Sequence, residues 1–181
     1  EAEKCWQLVA EIFREVQVLL IPWNGPAITQ PTDGFNDPPT ISAPFPGTPT
    51  PFETIVYAGD LVTFNITAED LDTYTGGVAQ NISVEIAGGQ FAFDPLTQQF
   101  SLNNNLCDNP PCATFQDGGG VVPPFSSPTI ANGVFEWQTH CNHINREVGC
   151  ENKSSIFNFS ITAFDDFCPA NAITIATIKI T

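Results

Sequence analysis

Two stretches of this chain alternate apolar and polar residues with a period of two, and this pattern limits the fold more than any other feature. In residues 61–68 and 157–163 every second residue is apolar and the residues between are mainly Thr, Asn and Ser. Successive side chains of a β-strand point to opposite faces, so both stretches predict strands with one buried face. Eight short β-type segments separated by turn residues are Thr54–Tyr57, Leu61–Thr67, Asn81–Ile86, Gln90–Asp94, Gln99–Leu102, Gly133–Thr139, Ile156–Phe164 and Ala172–Thr181. Strands of this number and spacing predict an all-β, two-sheet sandwich.

Proline and glycine mark where this sandwich begins. Residues 23–51 are punctuated by them throughout, which excludes a helix and predicts a Pro-rich linker and lead-in segment. The sandwich is therefore assigned to residues 52–181. Within it, residues 103–132 contain Gly118-Gly119-Gly120 and five prolines, and they predict an irregular insertion. An insertion of this length is either a surface loop or a binding loop at one end of the sandwich.

The first 22 residues repeat a pattern found at the other end of the chain. Cys5 precedes the alternating stretch Val16-Gln17-Val18, just as Cys168 precedes Ile178-Lys179-Ile180. Residues 1–14 also have a composition that suits a helix, but the alternation that follows favours a strand. A pattern repeated at both ends is typical of a segment of a tandem array, so residues 1–22 are predicted to be the terminal strand of a preceding repeat.

The composition of the chain limits which partners it can bind and in which compartment it is found. The formal net charge is −15 with only five Lys and Arg residues, so a nucleic-acid backbone would be repelled. No apolar run is long enough for a membrane-spanning helix, so we expect no membrane insertion. Six cysteines without metal-finger spacing predict disulfides, and hence an extracellular or cell-surface location.

The cysteine spacing leaves several pairings open. Cys107 and Cys112 are close enough in sequence to close a tight local loop. Cys141 and Cys168 each follow a predicted strand, and they would meet if those strands were adjacent and ended on the same side. Cys141 with Cys150 is the rival pairing, and spacing alone cannot decide between the two.

Aspartates cluster where predicted strands end. Asp70-Leu71-Asp72 follows the strand that ends at Ala68, and Asp165-Asp166 follows the strand that ends at Phe164. The linker before the sandwich adds further oxygen ligands, namely Asp33, Asn36 and Asp37. Ca²⁺ takes six to eight oxygens, many of them from carboxylates, so these seven residues predict a Ca²⁺ site. The alternative is that the aspartates only cap turns through their own backbone.

Catalytic motifs are absent from the sequence. It contains no Gly-x-Ser-x-Gly elbow, no His-Glu-x-x-His pair and no phosphate-binding glycine loop in a strand-to-helix context. His140 and His143 flank Cys141, but no second ligand cluster accompanies them as a zinc site would require. We therefore do not expect an enzyme.

Several motifs taken together resemble a known family. They are Gly59-Asp60-Leu61-Val62-Thr63-Phe64, Gly88-Gly89-Gln90-Phe91, Phe135-Glu136-Trp137 with Cys141, and Phe164-Asp165-Asp166-Phe167-Cys168-Pro169. They are similar to the Ig-like or cadherin-like repeats of large Bacteroidetes surface proteins, the gliding-motility adhesins exported by the type IX secretion system. The resemblance covers residues 52–181 and implies a Cys141–Cys168 bridge. Asn36-Asp37-Pro38-Pro39 is similar to the calcium-binding linker of cadherins.

These patterns lead to one functional hypothesis and one alternative. The hypothesis is a non-catalytic structural and adhesive repeat of a surface filament or adhesin, rigidified by Ca²⁺ and in contact with neighbouring repeats. Binding of an unknown surface or glycan ligand would fall to the insertion at residues 103–132. The alternative is a carbohydrate-binding or other ligand-binding module of a secreted multidomain protein.

Overall fold

The computed structural model describes residues 36–144, except Thr75, Pro95, Gln98 and Asn104, together with residues 154–167 and 171–181. In this part of the chain the regular structure is almost entirely β, as the sequence predicts. The strands are β1 Thr40–Ile41, β2 Glu53–Thr54, β3 Leu61–Glu69, β4 Thr73–Tyr74, β5 Val78–Ala79, β6 Asn81–Ala87, β7 Thr114–Asp117, β8 Phe125–Pro128, β9 Ile130–Gln138, β10 Phe157–Asp165 and β11 Ile173–Ile180. The one helical element among the described residues is a 3₁₀ turn, Cys141–His143.

Two sheets form the sandwich. The first has the strand order β1-β3-β9-β7 and the second the order β2-β11-β10-β6-β8, while β4 and β5 form a separate hairpin. All pairs in the two large sheets are antiparallel except β2 with β11, which run parallel. The all-β sandwich predicted from the alternating residues is therefore confirmed.

The core lies between the inward faces of the long strands. In β3 and β9 burial alternates strictly along nine residues, so every second side chain enters the core. Phe64 of β3 stacks on Phe135 of β9 at a centroid distance of 4.4 Å, and Phe135 meets Phe159 of β10 edge to face at 4.9 Å. The second of these contacts joins the two sheets, and aromatic contacts of either kind each add about 1 kcal/mol beyond the burial of area.

The short segments depart from the sequence predictions. Residues 90–94 and 99–102 form only isolated bridges, Phe91 with Ala113 and Phe93 with Phe100. The predicted irregular insertion 103–132 instead contains β7 and β8, which pair at one edge of each sheet. Residues 40–51, assigned to the lead-in segment, contribute β1 and the core contact of Phe45 with Phe64. The first two differences have one cause. In these segments core-facing aromatic residues occur at irregular spacing, so the burial of these residues, and not a regular alternation of apolar and polar residues, determines the local structure.

The sandwich has two distinct ends. At the end where β3 and β10 finish lie the aspartates of residues 70, 72 and 165, and we call this the acidic end. At the other end, β9 and β11 finish beside the start of β10, and Trp137 contacts Phe157 at a centroid distance of 4.9 Å. An apolar cavity opens there, and we call this the cavity end.

One predicted disulfide is confirmed and another is incompatible with the fold. Cys107 and Cys112 are bonded, with an S–S distance of 2.09 Å. Cys141 is an exposed free thiol at the cavity end. Its predicted partner, Cys168, lies outside the described residues, but the preceding Phe167 stacks on Tyr74 at the acidic end. The length of β10, roughly 26 Å, separates these ends, whereas bonded cysteines have Cα atoms within about 7 Å. The Cys141–Cys168 prediction is therefore wrong, because β9 and β10 lie in opposite sheets and run in opposite directions.

The rival bridge from Cys141 to Cys150 involves a residue outside the described ranges. Cys5, Asp33 and the predicted terminal strand in residues 1–22 also lie outside the described residues. In the part of the chain that the structure describes, no helix has the length and apolar character needed to cross a membrane.

Candidate cation site at the acidic end

Asp70 and Asp72 enter the acidic end because the extended backbone of β3 continues beyond Glu69. Both side chains are almost fully buried, with 5% and 3% exposure, whereas Leu71 between them is 63% exposed. Alternation along an extended chain directs the first and third residues of Asp70-Leu71-Asp72 to the same side. Both carboxylates therefore lie on the buried side of the chain.

Backbone hydrogen bonds hold the two aspartates beside the start of β6. The Asp70 N–H donates to the carbonyl of Thr129, the Thr129 N–H to the carbonyl of Gln80, and the Gln80 N–H to the carbonyl of Asp72, at 2.9, 3.1 and 3.4 Å. This chain of bonds places the fully buried Gln80 next to the carboxylates. Sequence reasoning missed Gln80, because a glutamine in a turn carries no signal of burial.

Asp165 is the third buried acid of this end, with 1% exposure. Its Oδ1 accepts the N–H groups of Phe167 and Ala172, both at 3.0 Å, and so caps the turn between β10 and β11. Its Oδ2 accepts a 2.7 Å hydrogen bond from the side-chain amide of Asn36. The same Asn36 accepts, through Oδ1, a 2.8 Å bond from Nε2 of Gln80.

The lead-in segment is attached to the sandwich through these groups. The Asp37 N–H donates to Oδ2 of Asp72 at 2.7 Å, and the Asp72 N–H donates to Oδ1 of Asp70 at 2.8 Å. The structure thus brings together five of the residues predicted from sequence: Asn36, Asp37, Asp70, Asp72 and Asp165. Their carboxylates also cap turns, so the alternative interpretation describes part of what these groups do.

The buried carboxyl of Asp70 has its hydrogen-bonding capacity met only in part. Burial raises the pKa of its carboxyl from 3.8 to about 6; the hydrogen bond from Asp72 opposes this shift, and the negative charges of Asp72, Asp165 and Asp37 add to it. Its Oδ2 atom is buried without a hydrogen-bond partner, as is Oε1 of Gln80. Buried acceptors without a donor are unfavourable by about 1–3 kcal/mol each, and among the described residues these two oxygens have no donor.

Asp166, the remaining described residue of the prediction, belongs to a separate set of contacts. Its carboxylate accepts bonds from the backbone and side-chain amides of Asn81 at 3.0 and 2.8 Å and from the hydroxyl of Tyr74 at 2.9 Å. Burial acts to raise the pKa of Asp166, but these bonds outweigh it and lower that pKa. Three donors already stabilise the carboxylate of Asp166, so it does not need a cation.

The residues of the acidic end fit a hard divalent cation in donor type and in charge. As the side chains stand, the described His, Cys, Asp and Glu residues form no group of three or more that could hold a metal ion. Carboxylate oxygens of Asp70, Asp72 and Asp165 instead accept N–H bonds. The two orphaned oxygens, on Asp70 and Gln80, are of the kind that Ca²⁺ takes as ligands.

The cavity end carries the second concave feature. A cavity of about 270 Å³ is lined mainly by apolar groups, among them Val56, Phe157 and Ile180, with Tyr57 on its rim at 80% exposure. The disulfide loop Cys107–Cys112 closes over this region: the carbonyl of Pro111 accepts the indole N–H of Trp137 at 3.1 Å. This loop of the insertion therefore reaches the cavity end.

His143 lies in the wall of the same cavity and is buried. Its Nδ1 accepts the His140 N–H at 2.9 Å, and its Nε2 lies 2.8 Å from the carbonyl of Asn109. Burial lowers the pKa of His143, and the bond to the Asn109 carbonyl opposes that shift. The contacts fit a neutral ring with the proton on Nε2, which leaves neither nitrogen to ligate a metal.

Comparison with known proteins gives a distant likeness in structure alone. The chain matches no protein-family model and none of the curated proteins. Among solved structures it is similar to a family 123 glycoside hydrolase from Clostridium perfringens, described for the hydrolysis of glycolipid glycans. The identity is 10%, the TM-score is 0.35, and the match covers 71% of this chain and 22% of the hydrolase. A likeness at this level carries no activity over to this chain.

Proposed function

We propose that this chain is a non-catalytic structural and adhesive β-sandwich of an extracellular surface protein, and that its acidic end binds Ca²⁺. The observation that supports this most is Asp70: a buried carboxyl with one orphaned oxygen, surrounded by three further carboxylates. Motifs resembling the repeats of Bacteroidetes gliding-motility adhesins are consistent with this class of protein.

Charge supports the cation proposal. Ionised Asp70 and Asp165 would put two negative charges in a region from which water is largely excluded, and among the described residues no Lys or Arg lies among their contacts. Ca²⁺ would supply the missing positive charge, with Asp70, Asp72, Asp165 and Gln80 providing oxygens and Asp37 adding a carboxylate from the lead-in segment. Some of the bonds from N–H groups would then be exchanged for bonds to the cation.

The position of the site indicates its mechanical role. The lead-in segment is held at this end by the bonds from Asn36 to Asp165 and from Asp37 to Asp72. Both bonds end on groups that a cation would also contact. Ca²⁺ would therefore fix the direction in which the lead-in segment leaves the sandwich, which suits a surface protein that is held under tension.

Isothermal titration of the full chain with Ca²⁺ tests this proposal. We expect saturable binding, with a Kd on the order of 10⁻⁴–10⁻³ M as in other extracellular modules. Asp70→Asn should weaken binding at least tenfold. Glu85→Gln removes the same charge from an exposed position on β6 and should leave binding unchanged. No heat of binding by the wild-type chain, or equal weakening by both substitutions, would reject the proposal.

The cavity end supports a second candidate function, a ligand-binding module. An apolar cavity of about 270 Å³ with the exposed ring of Tyr57 at its mouth could accept part of a glycan or another small ligand. Titration with a panel of glycans separates the two functions. Saturable binding that is lost in Tyr57→Ala but retained in Asp70→Asn would favour this candidate.

A further inference from the structure

Three buried side chains with polar groups in the wall of the cavity already have hydrogen-bond partners within the protein. The Thr139 hydroxyl accepts the N–H of Gly59 at 3.0 Å and lies 2.9 Å from the carbonyl of Tyr57, to which it can donate. The indole N–H of Trp137 donates to a carbonyl of the disulfide loop, and both ring nitrogens of His143 are bonded. These three side chains therefore keep no N–H or O–H to donate to a ligand.

Backbone groups at the cavity are bonded as well. The Val56 N–H donates to the carbonyl of Thr181 at 3.0 Å, and the Thr181 N–H donates to the carbonyl of Thr54 at 3.0 Å. The Tyr57 N–H donates to Oδ2 of Asp60 at 2.9 Å. A sugar hydroxyl pressed against this wall would lose its bonds to water and find few in exchange, which is unfavourable.

Charge is missing from the cavity as well. The described residues that line it include no Asp, Glu, Lys or Arg, although the whole chain contains 20 acidic residues. A charged ligand would therefore find no counter-charge among these residues, and the net charge of −15 would repel an anion. The lining thus favours an uncharged, mainly apolar ligand.

The size and the rings of the cavity narrow the ligand further. An apolar cavity of about 150 Å³ in another protein accepts one benzene ring, so a cavity of about 270 Å³ suits roughly two fused rings. The rings of Trp137 and Phe157 form part of the wall, and the exposed ring of Tyr57 stands at the mouth. Aromatic rings attract one another in edge-to-face and offset stacked arrangements, which an aromatic ligand would make here.

We propose that the cavity end binds an uncharged aromatic group of about two fused rings in preference to a glycan. The apolar rings would lie against Val56 and Phe157, with Tyr57 covering them. A polar substituent would remain at the mouth, where His140 and Ser154 are exposed. This inference rests on the second candidate function above, the ligand-binding module, and names the class of ligand that the module takes.

Isothermal titration of the full chain with three uncharged probes tests the proposal: 2-naphthol, phenol and an N-acetylglucosamine oligomer. We expect saturable binding of 2-naphthol, at least about tenfold tighter than that of phenol, because the second ring adds buried apolar area. The oligomer should give no saturable heat. In NMR spectra, 2-naphthol should shift the indole N–H signal of Trp137, which locates the ligand in the cavity. A further titration with N-acetyltryptophanamide distinguishes the source of the group, since tighter binding of this probe would indicate a tryptophan side chain of a partner protein.

Two substitutions and one matched control locate the binding. Val56→Phe fills part of the cavity and should weaken 2-naphthol binding at least about tenfold. Val78→Phe makes the same change in the β4–β5 hairpin, at a position that is 63% exposed, and should leave binding unchanged. Tyr57→Ala removes a ring that is 80% exposed, so the fold should tolerate it, and it should weaken binding severalfold. If Val56→Phe does not fold, Tyr57→Ala decides the outcome.

The possible failures separate this inference from the function on which it rests. Saturable binding of the oligomer that Tyr57→Ala abolishes, without binding of 2-naphthol, would overturn the aromatic ligand and keep the ligand-binding module. No binding of any probe would reject both. Binding of 2-naphthol that Tyr57→Ala and a folded Val56→Phe leave unchanged would place the ligand elsewhere and also overturn the proposal.

Discussion

At the scale of single residues, the buried carboxyl of Asp70 distinguishes this sandwich. Asp165 and Asp166 satisfy their carboxylates with amide or hydroxyl donors, but Asp70 keeps one oxygen without a partner. A carboxyl of this kind either binds a proton or lies beside a cation. The protonation state of Asp70 therefore links the proposed Ca²⁺ binding to the stability of the fold.

Asp70→Asn should change how stability depends on pH. The pKa of this carboxyl is raised from 3.8 to about 6, so between these values the folded state binds a proton that the unfolded state has lost. Stability supplied by the protonated form is thus present at low pH and falls as the pH rises through this window, by roughly 3 kcal/mol. Asparagine does not titrate in this range, so Asp70→Asn should not lose stability in this way as the pH rises. Urea unfolding with EGTA, repeated at several pH values, should show the wild type losing stability relative to Asp70→Asn; parallel curves would contradict the assignment.

Gly133→Ala should test the packing of β7 on β9. Gly133 is a buried position of β9, and a Cβ atom there would overlap the ring of Phe115, which is itself fully buried. Overpacking of this kind is destabilising by about 1–3 kcal/mol. The adjacent Val134 is 37% exposed, so Val134→Ala is a matched control and should change the free energy of unfolding by less. Equal effects of the two substitutions in urea unfolding would argue against this packing.

At the scale of elements, the long strands follow from local sequence and the short ones do not. β3 and β10 are read directly from alternating residues, because each buries one face along nine positions. β7 and β8 have four residues each, too few for alternation to stand out, and the core contact between Phe115 and Phe125 places them. The same limit applies to the site: Asp70 and Asp72 were predictable from Asp-x-Asp at a strand end, whereas Gln80 depends on tertiary hydrogen bonds.

The disulfide loop Cys107–Cys112 should act as a clamp on the cavity end. Its carbonyls at Asn109 and Pro111 contact the side chains of His143 and Trp137. Removing the bridge in Cys107→Ser/Cys112→Ser should lower the free energy of unfolding by about 2 kcal/mol through the entropy of a six-residue loop. It should also speed hydrogen exchange of the Trp137 indole N–H. An indole that stays as protected as in the wild type would show that the loop does not clamp this end.

At the scale of the whole molecule, the two ends of the sandwich differ in their chemistry. The acidic end concentrates buried negative charge where the lead-in segment joins, and the cavity end concentrates apolar and aromatic groups under the disulfide loop. Strands of eight or nine residues connect the two ends through continuous ladders. A cation at the acidic end would therefore stabilise the sandwich and fix the lead-in segment at once.

The thermal midpoint of the full chain in Ca²⁺ and in EGTA tests this account most directly. Ca²⁺ at about ten times its Kd should contribute about 1.4 kcal/mol and raise Tm by about 3–5 °C at neutral pH. NaCl at matched ionic strength controls for screening of the net charge of −15, and Asp70→Asn should abolish most of the specific rise. A Tm that is the same in Ca²⁺ and in EGTA, or a rise that NaCl reproduces, would contradict the claim that the acidic end is a calcium site.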